Sequence, residues 1–358
     1  MTKKYLDIAS KFDLKGEVRE IKPLGEGFIN DTLVVKTEGD APDYILQRKN
    51  KSVFPDVPGM MENIWKVTNH IKKKVTDPMR ETLTVVRAKD GKLYYEDADG
   101  EFWAVCVFIG DTLSYTQADT PGLAYQGGVG IGRFQALLAD FHEPLVETIK
   151  GFHNMRWRFQ QWDESVARNA AGRLDSCLEE IEWIESRRKE MLDFATLVEN
   201  GTIPCRVTHN DTKISNILFD AKTKEVLCAI DLDTVMSASV LNDVGDALRC
   251  YTNTGAEDAQ NLSTVSMSLE MFTAYIRGYL SEMGSSLCPA ELDYLAFSGR
   301  YITFEQVLRF LMDYLDGDTY YKTKYPEHNL VRARAQYRLL QSMEAQFPQM
   351  CEIVSALR

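Results

Sequence analysis

Between Thr208 and Leu218 the chain reads Thr-His-Asn-Asp-Thr-Lys-Ile-Ser-Asn-Ile-Leu. The spacing of His209, Asp211 and Asn216 is that of a phosphoryl-transfer loop. Such chemistry needs an acid that aligns a hydroxyl and takes its proton. It also needs an amide oxygen a few residues on to hold Mg²⁺. Alone, the pattern also fits a polar loop whose His and Asp only satisfy backbone groups. A second stretch adds to it: Val226-Leu-Cys-Ala-Ile230-Asp231-Leu-Asp233 is an apolar segment ending in two carboxylates. A carboxylate at a strand end can bind the metal that bridges phosphates. Asp231 is the expected ligand and Asp233 its competitor, because both point to the same side of an extended chain. Leu24-Gly25-Glu26-Gly27-Phe28-Ile29-Asn30 completes the set. Its glycines let backbone N–H groups approach phosphate oxygens, although most such loops are plain hairpin turns.

Elements that place these residues are legible in outline. Val18–Leu24, Asn30–Thr37, Tyr44–Lys49, Thr82–Ala88, Leu93–Glu96 and Phe102–Ile109 read as strands. Asp90-Gly91 and Asp99-Gly100 between the last three predict two hairpins. Met60–Lys73 has apolar residues at helical spacing. Beyond Gly110 the helical period dominates, over Leu123–Phe141, Asp175–Asn200, Leu269–Met283, Leu292–Leu311 and Val331–Phe347. The expected class is α+β, with an antiparallel-sheet lobe over residues 1–108 and a mostly helical lobe over 109–358.

The 358 residues carry 41 Lys and Arg against 53 Asp and Glu, a formal charge of −12. That balance excludes a general binder of nucleic acid or anionic membrane. No apolar run approaches the ~18 residues of a membrane span, and no secretory signal is visible, so a cytoplasmic protein is expected. Seven cysteines and five histidines are scattered without a C-x-x-C pair. Reduced thiols, rather than a zinc site or a disulfide framework, are the expectation. Two further groups read as structural. His153, Trp157 and Trp162 suit a core or an ordinary surface, and Asp313, Asp316 and Asp318 suit a solvated helix end.

Val207-Thr-His-Asn-Asp-Thr-Lys with Asn216-Ile-Leu, then Ile230-Asp-Leu-Asp, then Asp243-Val-Gly-Asp246, resembles the aminoglycoside phosphotransferase-like kinases. More narrowly, Tyr44-Ile-Leu-Gln47, Arg309-Phe-Leu, Asp313-Tyr-Leu and Thr323–Arg332 resemble the N-acetylhexosamine 1-kinases. The resemblance implies a two-lobed, protein-kinase-like fold. It also implies transfer of the ATP γ-phosphate, with Mg²⁺, to the anomeric hydroxyl of GlcNAc or GalNAc. Asp211 matches the catalytic base and touches substrate, and Asn216 and Asp231 match the Mg²⁺ ligands. Gly25, Gly27, Asn30, Gln47 and the hinge residues Phe108 and Ile109 match nucleotide-binding positions. Arg309 and Tyr320 match the positions that hold the sugar. Departures are visible too. Gln47, with Arg48 beside it, stands where protein kinases put the sheet lysine, and Glu62 best represents the helix glutamate. Cys250 stands near where the family can carry an aromatic. An Arg at 309 offers donors and no acceptor, which suits a neutral sugar and repels a polycation. The alternatives are a kinase for an aminoglycoside or amino alcohol, and a nucleotide-binding regulator without turnover.

Overall fold

The structure is a computed structural model, described over residues 3–25 and 30–358. From the N-terminus come α1 (Lys3–Ala9), β1 (Val18–Pro23), β2 (Asp31–Thr37), β3 (Tyr44–Lys49) and α2 (Val57–Lys72). Short strands follow: β4 (Val85–Val86), β5 (Tyr95–Glu96), β6 (Phe102–Val107) and β7 (Thr112–Leu113). Next are α3 (Pro121–Leu137), α4 (Met155–Arg168) and α5 (Leu178–Glu199). β8 (Arg206–Thr208), β9 (Ile217–Asp220), β10 (Val226–Ala229) and β11 (Met236–Ala238) interrupt the helices. The rest is helical: α6 (Val240–Tyr251), α7 (Leu269–Met283), α8 (Pro289–Asp293), α9 (Leu295–Asp316), α10 (His328–Ala345) and α11 (Phe347–Leu357).

Two compact units are resolved, residues 1–114 with 137–150 and 218–237, and residues 115–136 with 151–217 and 238–358. The first unit is built on a six-stranded antiparallel sheet in the order β1-β2-β3-β6-β4, with β5 also on β6. One face of the sheet packs Leu33, Val35, Tyr44, Leu46, Trp103 and Val105 with Ile8 and Phe12 into a core. β4 and β5 are two residues each, shorter than expected, and they pair with β6 rather than with each other. Ala88 explains the shortfall. Its N–H bonds Lys92 O at 2.8 Å and it bridges Phe12, so the chain leaves the ladder there. Asp90-Gly91 therefore closes a turn, and only Asp99-Gly100 joins two paired strands. α2 starts on Asp56, whose carboxylate accepts from Gly59 N at 2.9 Å, followed by a proline in the first turn.

The second unit packs helices around α9, which meets α4, α5, α6, α10 and α11. α3 and α7 approach backbone to backbone. A Cβ on Gly128 would lie 2.2 Å from Tyr275 O, and one on Gly278 would lie 2.1 Å from Tyr125 O. α4 was hidden by its polar composition, α6 was missed although its apolar residues keep helical spacing, and each begins on a side-chain cap. Asn154 accepts from Trp157 N and Ser239 from Leu241 N. Among the described residues no helix is long and apolar enough to cross a membrane.

Candidate active site

In the second unit the segment after β8 turns sharply at Asn210, whose φ is 65°. The buried carboxylate of Asp243, in the first turn of α6, shapes this loop. It accepts from His209 N at 2.9 Å, Asn210 N at 2.7 Å and Gln135 Nε2 at 2.8 Å. One turn on, Asp246 accepts from Thr212 N at 3.0 Å and from Arg249 Nη2 at 2.9 Å. Burial pushes the Asp246 carboxyl up, but the Arg249 charge and hydrogen bond hold it below its usual value. α6 thus presents two acceptors to N–H groups of the loop.

Asp211 Oδ2 accepts from Asn216 Nδ2 at 2.8 Å and from Lys213 Nζ at 2.7 Å. Its Oδ1 accepts nothing among the described residues, and the side chain is 29% exposed. An ionised carboxylate with one oxygen anchored and the other free can align a hydroxyl and take its proton. Asn216 is buried and turns its Nδ2 toward Asp211, which leaves Oδ1 as the atom able to bind a cation. That oxygen, too, accepts no hydrogen bond among the described residues, and it is the hard ligand that Mg²⁺ prefers.

The acceptor-type residues lie on α9 and the loop after it. The Arg309 guanidinium sits 5.5 Å from the Phe152 ring, 5.7 Å from Tyr320 and 5.6 Å from Tyr321. Among the described residues it has no carboxylate within salt-bridge distance. Tyr320 is 60% exposed. Asp313 holds this arrangement, contrary to the expected solvated helix end. It is buried, and it accepts from Tyr320 N at 2.8 Å, Thr319 N at 2.9 Å, Tyr321 N at 3.0 Å and Asn329 Nδ2 at 2.8 Å. Asp316 and Asp318 are likewise engaged, by Arg168 and Arg173. Cys250 lies on α6 beside Arg249, and burial pushes its thiol up to about 12 despite that cation, so it stays neutral. Trp162 is core, its indole N–H donating to Glu185 at 2.8 Å.

The first unit carries the phosphate-type residues. Gly25 has φ 66°, and Gly27 lies outside the described residues. β3 sorts its polar residues by face. Arg48 shares the side of Tyr44 and Leu46 and reaches Asp31 and Glu101 at the margin. Gln47 and Lys49 share the other side, where Gln47 Oε1 accepts from Lys49 Nζ at 2.7 Å and Gln47 Nε2 donates to Thr32 at 3.1 Å. Lys49 is the residue that sequence reasoning missed. Its ammonium meets Asp233 at 2.7 Å, with side chains only 4% and 6% exposed. Asn30 Nδ2 donates to the same carboxylate at 2.7 Å, and Asn30 Oδ1 accepts from Asn50 N at 3.0 Å. Glu62 is exposed on α2 and meets no cation among the described residues. Cys106 on β6 faces the same side as Lys49 and Asp233, and burial raises its thiol to about 11.

Asp231 and Asp233 do not lie on an extended chain. Asp231 turns to φ 60°, ψ 55°, and Leu232–Thr234 form a 3₁₀ turn, so the two carboxylates part company. Asp233 goes inward to Lys49, while Asp231 stays exposed. Phe108 N donates to Asp43 O at 2.8 Å, the Lys36 ammonium lies 5.1 Å from the Phe108 ring, and Ile109 is buried. Among the described residues no three His, Cys, Asp or Glu side chains converge as a metal site.

Solved structures share this fold. A microcompartment-associated aminopropanol kinase matches with TM-score 0.63 and 16% identity over 97% of this chain and 98% of its own. Spectinomycin phosphotransferase APH(9)-Ia matches with TM-score 0.56 and 12% identity over 100% and 98%. Choline kinase from Cryptosporidium parvum Iowa II matches with TM-score 0.54 and 15% identity over 97% and 94%. The fold is therefore the protein-kinase-like fold of these small-molecule kinases. The family model for the APH phosphotransferase enzyme family matches residues 20–281, and the chain belongs to that family.

Proposed function

We propose that this chain is an ATP- and Mg²⁺-dependent kinase that phosphorylates the anomeric hydroxyl of an N-acetylhexosamine such as GlcNAc or GalNAc. In this reading residues 1–108 bind the nucleotide through Gly25, Gly27, Asn30, Gln47, Phe108 and Ile109. Residues 109–358 carry the base and the acceptor groups. Asp211 takes the hydroxyl proton through its open oxygen. Asn216 and Asp231 are the residues that would hold Mg²⁺, which when bound offsets the charge of the transferring phosphoryl. The anomeric hydroxyl is the most acidic of a free sugar, because the ring oxygen withdraws electrons, so one carboxylate base suffices.

The observation that carries the sugar reading is Arg309, a guanidinium framed by three aromatic rings and held by no carboxylate among the described residues. An ammonium substrate would be repelled there, whereas a neutral polyol offers oxygens to its donors and an apolar ring face to the aromatics. The test is ATP consumption over GlcNAc, GalNAc, choline, ethanolamine and kanamycin, with and without Mg²⁺, for the wild type and Arg309→Ala. We expect turnover with the N-acetylhexosamines only. The variant should raise the sugar KM at least tenfold with the ATP KM unchanged. Preference for an amine, or an unchanged sugar KM, contradicts the reading.

A further inference from the structure

The second unit holds one more polar group whose chemistry the reading above does not use. His153, immediately before the cap of α4, has a side chain 8% exposed, and Glu305 on α9 is 2% exposed. His153 Nδ1 lies 2.8 Å from Glu305 Oε2, and Arg158 Nε lies 3.3 Å from Glu305 Oε1. Burial pushes the Glu305 carboxyl up, but the charges of His153, Arg158 and Arg309 bring it to about 2, so it is ionised at neutral pH. An ionised carboxylate only accepts, so Nδ1 carries the hydrogen of that bond. The other ring nitrogen, Nε2, is buried and has no hydrogen-bond partner among the described residues. Buried polar atoms in native proteins nearly always have one.

The position of the imidazole says what that partner is. Its ring packs on Phe152 with centroids 4.5 Å apart, and Phe152 is one of the rings that frame Arg309. Glu305 and Arg309 are four residues apart on α9 and so share a face. His153 is therefore a neighbour of Arg309 through the Phe152 ring that they share. We propose that His153 is a specificity-determining residue of the acceptor site, its Nε2 exchanging a hydrogen bond with a ring hydroxyl of the sugar. Glu305 and Arg158 fix the ring for that contact. The proposal rests on the kinase reading above, and it sets beside Arg309 a second polar group for the acceptor's hydroxyls. A polyol hydroxyl, both donor and acceptor, can answer either group.

His153→Asn tests it, because the shorter amide can still donate to Glu305 but places nothing where Nε2 stood. His153→Gln restores a polar group near that position. The readouts are the KM for GlcNAc, the KM for ATP, kcat and the thermal midpoint. The expected result for His153→Asn is a GlcNAc KM raised about tenfold or more. Its ATP KM and thermal midpoint should match the wild type, and His153→Gln should recover part of the loss. A folded His153→Asn with an unchanged GlcNAc KM overturns the proposal. So does a loss in which the ATP KM and thermal midpoint move together with the GlcNAc KM, since that marks a purely structural group. If the wild type refuses both N-acetylhexosamines and turns over ethanolamine instead, the sugar reading has failed separately. The same comparison is then made with ethanolamine, where a raised KM upholds His153 as an acceptor-site residue and an unchanged KM overturns it.

Discussion

Replacing Lys49 with methionine keeps the length of the side chain and removes its charge. In the wild type the ammonium touches both Asp233 oxygens, at 2.7 and 3.0 Å, and Gln47 Oε1 at 2.7 Å. Lys49→Met leaves the Asp233 carboxylate in a site of nearly zero exposure with Asn30 as its remaining side-chain donor. Removing one partner of a buried ion pair costs about 3–5 kcal/mol, because the surviving charge is neither hydrated nor paired. Against a total stability of about 5–15 kcal/mol, that is a large fraction. The cost belongs to the stranded charge and not to the loss of the pair as such. Lys49→Met/Asp233→Leu should therefore regain most of it and lie within about 1 kcal/mol of the wild type. Urea unfolding at pH 7, followed by circular dichroism, measures all three proteins, with equal slopes as the check that the same surface is exposed. A single variant that loses less than about 1 kcal/mol, or a double variant no more stable than the single, would refute the reasoning.

Three other outcomes follow from the same geometry. Asp211→Asn should fold and bind ATP normally while kcat falls about a hundred- to ten-thousand-fold, checked by steady-state kinetics beside a binding isotherm. Asp231→Ala should stay folded, because the carboxylate is exposed, and lose turnover at millimolar Mg²⁺, whereas Asp233→Ala should lower the urea midpoint. Glu305 titrates at about 2 in the folded chain against an ordinary 4.5. A depressed carboxyl contributes stability above its unfolded value, and this is lost as pH falls from about 4.5 toward 2, at most about 3 kcal/mol here. Glu305→Gln should therefore show a flatter loss of urea midpoint over that range, and an identical slope would contradict the assignment.

What the sequence made legible was local. The His209-to-Asn216 spacing, the apolar run into Asp231 and the strands β1, β2, β3 and β6 are written in contiguous residues. α7 was read with its bounds, because its apolar period runs unbroken from Leu269 to Met283. The rest depends on partners far apart in the chain. Lys49 and Asp233 are 184 residues apart, and no pattern near either announces the other. One signal was available. Alternation along β3 puts Lys49 on the face of Gln47, so a strand that turns Gln47 toward the nucleotide-type residues turns Lys49 there too. His153 and Glu305, 152 residues apart, are hidden in the same way. Asp313 misled for a different reason. A carboxylate near a helix end and beside other acids reads as solvated, until the loop of Thr319, Tyr320 and Tyr321 folds back and gives it three N–H donors. α6 escaped although Val240, Leu241, Val244, Ala247, Leu248 and Tyr251 keep a helical period, and its Asp243 and Asp246 are buried to hold the loop of His209 to Thr212.

The central claim is transfer to the anomeric oxygen of a neutral N-acetylated sugar, and phosphorus NMR of the product tests it most directly. The protein is incubated with ATP, Mg²⁺ and, in turn, GlcNAc, its 1-O-methyl glycoside and its 6-deoxy analogue. The account predicts a sugar 1-phosphate from GlcNAc and from the 6-deoxy sugar, with the phosphorus coupled to the anomeric proton, and no product from the methyl glycoside. Phosphorylation of the methyl glycoside, or refusal of the 6-deoxy sugar, would contradict it.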